Sequence, residues 1–382
     1  MANTTPLLRL PVALVAALGA GALGTAAQAA EPQALIRQSL KATPTTPPPA
    51  GDQLGMANLL GVGTNMRCSW HLSQPRSRTF ELSYVRSNTM PKSPFSGPYT
   101  QRYKPTSSLP GSIHGFNGEE YEAGAEPSQQ ATQIDALGHF AHLPQPWDGK
   151  PPAPVDQARY YGGHRQQDVK PTPDSPLLKL GADRIPPLIT SAVLLDAKAV
   201  VGGGSAMKAG QVISARDIDA MLRRQGLAGR GILPGDIVFV YTGWGDGWKD
   251  PDTDKTYYAA APGLAVDAAR YLTQRRIVAI GIDVPFIDPV PEGMLQGKAP
   301  PAAGTPPNMP FAIHHHMLTQ AGIYHIENAN LGEAASQQVW TGCAIVLALR
   351  TKGAAGSPIR PVLVGTPGQQ RGGALANQPA PQ

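Results

Sequence analysis

Only two cysteines, Cys68 and Cys343, occur in 382 residues. That leaves room for at most one disulfide, and no Cys-His arrangement in the sequence marks a thiol nucleophile. Whether the two cysteines pair is left open, because their wide separation gives no geometry. Charge is sparse as well: 32 basic and 27 acidic residues give a net charge of +5. No basic stripe concentrates it, which argues against a nucleic-acid partner. No segment reaches about 18 uninterrupted apolar residues, so a membrane-spanning helix is not expected. Gly202-Gly203-Gly204-Ser205 lacks the following Lys-Ser/Thr of a phosphate-binding loop and reads as a flexible loop. Internal repeats are absent.

What is present begins with a leader. Arg9 precedes an apolar run, Leu10 to Leu23, and Ala27-Gln28-Ala29 follows as a small-residue cleavage pattern. A basic start, a short apolar core and such a site predict a secretory signal peptide over 1–29 and a periplasmic or secreted protein. Residues 30–51 carry Thr43-Pro44-Thr45-Thr46-Pro47-Pro48-Pro49, and 351–382 are rich in Gly, Pro, Gln and Ala. Neither end has enough apolar surface to offset its ordering entropy, so they read as a linker and a disordered tail. One domain is expected between them, over 52–350.

Within it, short apolar runs alternate with helical patterns. Ser191 to Asp196, Ile237 to Tyr241, Val278 to Ile282 and Cys343 to Leu349 have strand length. Ser214 and Asp217 open a helix that stops at Gly226, and Pro262 to Arg275 places Leu264, Ala268, Tyr271 and Leu272 on one helical face. The alternation predicts α/β architecture.

Two segments concentrate the chemistry. Gln129-Gln130-Ala131-Thr132-Gln133-Ile134-Asp135 reads as a strand with Gln129, Gln133 and Asp135 on one face, and His139 follows four residues later. Carboxylate, imidazole and amides converging in this way suit metal-water or general-base chemistry. Farther on, His314-His315-His316 precede an apolar segment whose strand, Ile323 to Ile326, delivers Glu327 at its end. An acid ending an apolar run needs a partner or a metal. Neither cluster completes a site alone, so the carboxylates of Asp135 and Glu327 are expected in one cleft, within about 12 Å. One of Trp244, Trp248, Tyr257 and Tyr258, which follow a strand end, is expected to line the substrate pocket, with Trp244 placed there.

Together these segments resemble the cyclase-type metal-dependent hydrolases, the family that contains bacterial kynurenine formamidase. Its hallmark reads H-x-G-T-H-x-D-x-P-x-H, with a later histidine and then a glutamate. Thr132, Asp135 and His139 fall in register, as do His315 and Glu327. Asp52-Gln53-Leu54-Gly55-Met56-Ala57-Asn58-Leu59-Leu60, the strand ending at Asp196, Gly235-Asp236 through Thr242-Gly243-Trp244, Pro262-Gly263-Leu264 and Ala279 to Asp283 match further landmarks in order. The resemblance implies a single-domain swivelling β/β/α fold, a homo-oligomer, a small-molecule substrate and arylformamidase-like hydrolysis of an amide, formamide, cyclic imide or lactone. It implies a divalent ion (manganese, zinc or magnesium) held by Asp135, His315 and Glu327, with His314 and His316 as register alternatives to His315. His139 becomes the acid/base, Glu327 a ligand or water-orienting carboxylate, and Gln129 and Gln133 substrate-orienting amides. The chain departs from the hallmark where Gln129 and Gln133 stand for its two histidines, Ala131 for its glycine and Leu137 for its proline. Exchanging two imidazoles for amides is expected to cost zinc affinity, favouring manganese, magnesium or calcium, or leaving no metal. A catalytically impaired small-molecule binder on the same fold is the alternative.

Overall fold

The computed structural model describes residues 30–151 and 153–368. The expected leader and residues 369–382 of the expected tail lie outside the described residues. One nine-stranded mixed sheet organises the chain. Its strands are β1 (Arg78–Glu81), β2 (Gln133–Asp135), β3 (Leu188–Asp196), β4 (Ile237–Tyr241), β5 (Ala279–Ile282), β6 (Tyr324–Glu327), β7 (Thr341–Val346), β8 (Gly356–Pro358) and β9 (Val362–Gly365). Their order in space is β1-β9-β7-β3-β4-β5-β6-β2-β8. The central strands β3 to β6 are parallel, and every pairing outside them is antiparallel.

The parallel centre is buried on both faces, which is why β4 and β5 read as unbroken apolar runs rather than alternating ones. Leu194, Phe239 and Ile326 point into one apolar cluster. Val193, Val238, Val240 and Ile280 point into the other, with residues from two helices, α3 (Ala215–Arg224) and α4 (Val266–Gln274). Capping of α3 follows the sequence: the Ser214 hydroxyl accepts from the Asp217 amide, and Asp217 accepts back from the Ser214 amide. Gly226, with φ of +71°, ends it in the left-handed conformation that favours glycine. Pro262 to Arg275 is shorter as a helix than expected, because Gly263–Leu264 instead pairs in parallel with Val212–Ile213. The mixed sheet with its helices forms the swivelling β/β/α architecture as a single domain.

Both expected domain boundaries need correction. The stretch read as a linker holds helix α1 (Gln33–Ala42), and Glu31 just before it is buried. Glu31 accepts two hydrogen bonds of 2.7 Å from Arg230 and lies 3.3 Å from His71. Arg230 also pairs with Asp236 at 2.6 Å, and Arg67, on helix α2 (Val62–Leu72), lies 3.5 Å from the same carboxylate. The segment's composition gives little sign of this order, because a buried ion-pair cluster at Glu31 fastens it beside the buried Ile36. Likewise the start of the expected tail supplies β8 and β9, ordered by backbone pairing to β2, β1 and β7. Cys68 and Cys343 form a disulfide that ties α2 to β7, with Cα atoms 4.5 Å apart.

Burial alone would raise the Glu31 carboxyl, but Arg230, helped by His71, overrides it and holds the group well below the usual carboxylate range. A carboxyl depressed in the fold contributes stability above its unfolded value near 4.5 and loses it as pH falls. Glu31→Gln should therefore destabilise by about 3–5 kcal/mol near neutral pH. In denaturant melts at several pH values, the gap between wild type and variant should hold down to about pH 5 and narrow below it.

Candidate metal centre

The centre is built from two neighbouring strands and one helical turn. Antiparallel register sets Asp135 of β2 opposite His325 of β6, and Gln133 opposite Glu327. Residues two apart on a strand share a face, so all four side chains emerge together. Ile134 and Ile326 point the other way, into the apolar core. Just before β2, Ala131 adopts φ of +58°, the left-handed backbone for which the hallmark uses glycine. Asn328 holds this bend: its side-chain amide donates to the Ala131 carbonyl at 2.9 Å, and its own carbonyl accepts from the Thr132 hydroxyl at 2.7 Å. Gly356 on β8 leaves room for Gln129, whose Nε2 would lie 2.7 Å from any Cβ placed there.

The helical turn brings His314. Asp288 fixes it by accepting from the Ile313 and His314 amides at 2.7 and 3.1 Å and from the ring Nδ1 at 2.6 Å. With Nδ1 donating, Nε2 is free to face the carboxylates, 3.3 Å from Glu327 Oε1 and 3.6 Å from Asp135 Oδ2. Glu327 is itself held, accepting from the Ile287 amide at 3.0 Å and from Gln133 Nε2 at 3.2 Å.

Asp135, His314, His325 and Glu327 are all buried, and one ligand atom from each lies within 4.8 Å of the others. This cluster is capable of holding a divalent metal. The fit is supported by atoms that the protein leaves unsatisfied: both Asp135 oxygens and both His325 ring nitrogens are buried without a hydrogen-bond partner. Such groups are costly unless a ligand meets them. Burial pushes the Asp135 carboxyl up to about 6, with His139 pulling it partly back and Glu327 adding to the rise. Burial, reinforced by His314 and His139, holds His325 well below the ordinary imidazole range and thus neutral. Against its own burial, His314 is held well above that range by Asp288 and Glu327. Two acids and a neutral imidazole around a common point form a donor set for a cation.

These positions correct several expectations. The centre has not lost its imidazoles to Gln129 and Gln133, because His314 and His325 supply them. The glutamines act beside the ligands: Gln133 Nε2 donates to Gln129 Oε1 at 2.6 Å as well as to Glu327. The expected loss of zinc affinity through an imidazole-to-amide exchange therefore has no basis in this centre. His315, expected as a ligand, turns away, its Nε2 3.1 Å from His142 Nδ1. Successive side chains on a helical turn diverge, so one residue's shift in register decides which histidine enters. His316 faces Thr273 and Gln320. Trp244 donates its indole N–H to the Tyr257 carbonyl at 3.1 Å and packs in the second apolar cluster. Neither it nor Trp248, Tyr257 or Tyr258 lines the cavity over the centre.

That cavity holds about 220 Å³, and Phe95, Phe140, Phe286 and Phe311 wall it beside His139, His314 and Glu327. Asp135 and Glu327 meet at one site as expected. His139 is half-buried, and burial lowers its ring while Asp135 opposes the shift. His325 and Asp288 were missed. Alternation along the strand ending in Glu327 places His325 on the same face, a signal available in the sequence. Asp288, between Ile287 and Pro289, carries no local signal.

The sequence matches the Cyclase family over residues 62–289, more than half of the chain. The protein belongs to that family. Asp135 and His139 fall inside the matched region; His314, His325 and Glu327 lie beyond it. Among solved structures, one described as a novel cyclase is 21% identical with a TM-score of 0.64, covering 82% of this chain and 96% of that one. Isatin hydrolase A from Labrenzia aggregata, bound to benzyl benzoate, is 16% identical with a TM-score of 0.50, covering 76% and 94%. These likenesses are of fold. No functionally curated protein matches the chain.

Asp288 orients His314, so Asp288→Asn should weaken divalent-metal binding by about 10- to 100-fold without unfolding the protein. Calorimetric titration of wild type and variant with manganese and zinc measures this. Equal affinities would separate Asp288 from the centre.

Proposed function

We propose that this protein is a metal-dependent hydrolase that cleaves an amide, formamide, cyclic imide or lactone bond in a small molecule. The observation that carries the reading is the placing of His139. Its imidazole has no hydrogen-bond partner among the described residues, and it shares the wall of the cavity with two groups of the metal centre, His314 and Glu327. Asp135, His314, His325 and Glu327 would hold a divalent ion, which would supply Lewis-acid chemistry for water and a carbonyl. The protein's own groups do the rest. His139 takes a proton from the attacking water and returns it to the leaving group. Glu327, fixed by Ile287 and Gln133, orients the water or serves as a ligand. Gln129 Nε2 and Gln133 Oε1, both buried and unpaired, are left to hydrogen-bond the substrate. Four phenylalanines exclude bulk water and suit a flat, apolar substrate body.

The same unpaired amides would also serve a binding protein, and turnover separates the two readings. We further read the protein as exported. The Ala27-Gln28-Ala29 pattern and the Cys68–Cys343 disulfide support this, since disulfides persist in oxidising compartments. Amino-terminal sequencing of the cell-envelope fraction should then begin at Ala30.

With manganese-loaded protein and a panel of aryl formamides, cyclic imides and lactones, at least one class should turn over. On that substrate His139→Ala should lower kcat by about 100-fold or more while the melting temperature stays unchanged. Absence of turnover across the panel supports the binder, and an unimpaired His139→Ala removes His139 from proton transfer.

A further inference from the structure

A second cavity, of about 740 Å³, adjoins the first and shares Glu126, Gln129 and His139 with it. Its wall includes Arg86, Tyr99, Gln101 and Tyr121, together with Thr351 and Gly356. Arg86 is the cation in this lining. Its guanidinium stands 4.5 Å from the centroid of the Tyr99 ring. A guanidinium held over a ring face by cation–π attraction does not use its N–H donors as hydrogen-bond donors to that ring. Arg86 makes no ion pair and no hydrogen bond among the described residues, and its Nε is buried without an acceptor. Glu126 does not serve it: that carboxyl is raised by burial alone, with no cation drawing it down.

A positioned guanidinium with a buried, unsatisfied donor lacks an anion. Carboxylates match its fork with two parallel hydrogen bonds. We propose that Arg86 is a specificity-determining residue that binds a carboxylate carried by the substrate. The substrate class is then an aryl or alkyl amide, imide or lactone with a separate anionic group. Its reacting carbonyl would lie on the side of Gln129 and His139, and its anion would extend along the larger cavity. The inference rests on the hydrolase reading for the reacting group and on Arg86 for the anion.

Binding can test the anion apart from turnover. Benzoate and benzamide have the same shape and differ in charge, and their affinities are measured by calorimetry on metal-free and metal-loaded protein. Wild type should prefer benzoate on the order of tenfold in both states, and added salt should reduce the preference. Arg86→Gln should abolish it, and Arg86→Lys should retain part. Equal affinities in wild type overturn the proposal without needing any variant. So does a preference that survives in Arg86→Gln, or one that appears only with metal, since either places the carboxylate elsewhere. A hydrolase that turns over its substrates yet shows no preference keeps the function proposed above and loses this role for Arg86. Preference without turnover keeps the anion site and removes the hydrolase.

Discussion

The antiparallel register of β2 on β6 is the constraint on which the centre depends. It sets two residues of one strand against two of another, so that three ligating groups and one supporting amide face the same way. Side chains in a strand alternate with a period of two. A slip of one residue would send Asp135 into the apolar core and Ile134 into the cavity, and both changes are strongly unfavourable. The same alternation that buries Ile134 and Ile326 therefore fixes the polar constellation. The bend at Ala131 and its clasp by Asn328 act on this register from the end of the pair.

Among the described residues, two clusters of buried charge have opposite outcomes. Around Arg230, two carboxylates and a neighbouring guanidinium satisfy one another, and the cluster fastens α1 to the domain. Around Asp135 both carboxylate oxygens, and both ring nitrogens of the neutral His325 beside them, are left without a hydrogen-bond partner, with His314 3.6 Å away. Buried ionic groups that pair internally serve structure, whereas those left unsatisfied call for something the chain does not itself provide. Asp283 shows that a deeply buried carboxyl need not belong to the second kind. It accepts from the amides of Thr242, Gly243 and Gly245 and so shapes the turn carrying Trp244.

Much of this was legible in the sequence where periodicity or capping carried it. The central strands and the Ser214 cap follow from local patterns, and the convergence of Asp135 with Glu327 from the incompleteness of each cluster by itself. The third and fourth ligands were less accessible. Three consecutive histidines differ only by rotation about a helical turn, and the sequence cannot say which one turns inward. His325 is obscured in the sequence because it lies within an otherwise apolar run, between Tyr324 and Ile326. Gln129 and Gln133 misled because a motif position was equated with a ligand, whereas donors from other elements complete the centre. Arg230 and Asp236, six residues apart, gave no hint of Glu31, which lies almost two hundred residues earlier.

The placing of β2 has a kinetic consequence. It lies between β6 and β8, whose residues follow it by roughly 190 and 220 positions, so both its hydrogen-bonding edges wait for distant chain. Contacts of such high sequence separation form late, because loop closure must precede any gain from pairing. During synthesis the segment bearing Asp135 has no partner strands to complete it. The centre therefore cannot be complete before residues 324–358 have been synthesised. A chain moved across a membrane while still extended would carry no assembled centre, and metal capture would belong to the compartment in which β8 finally docks.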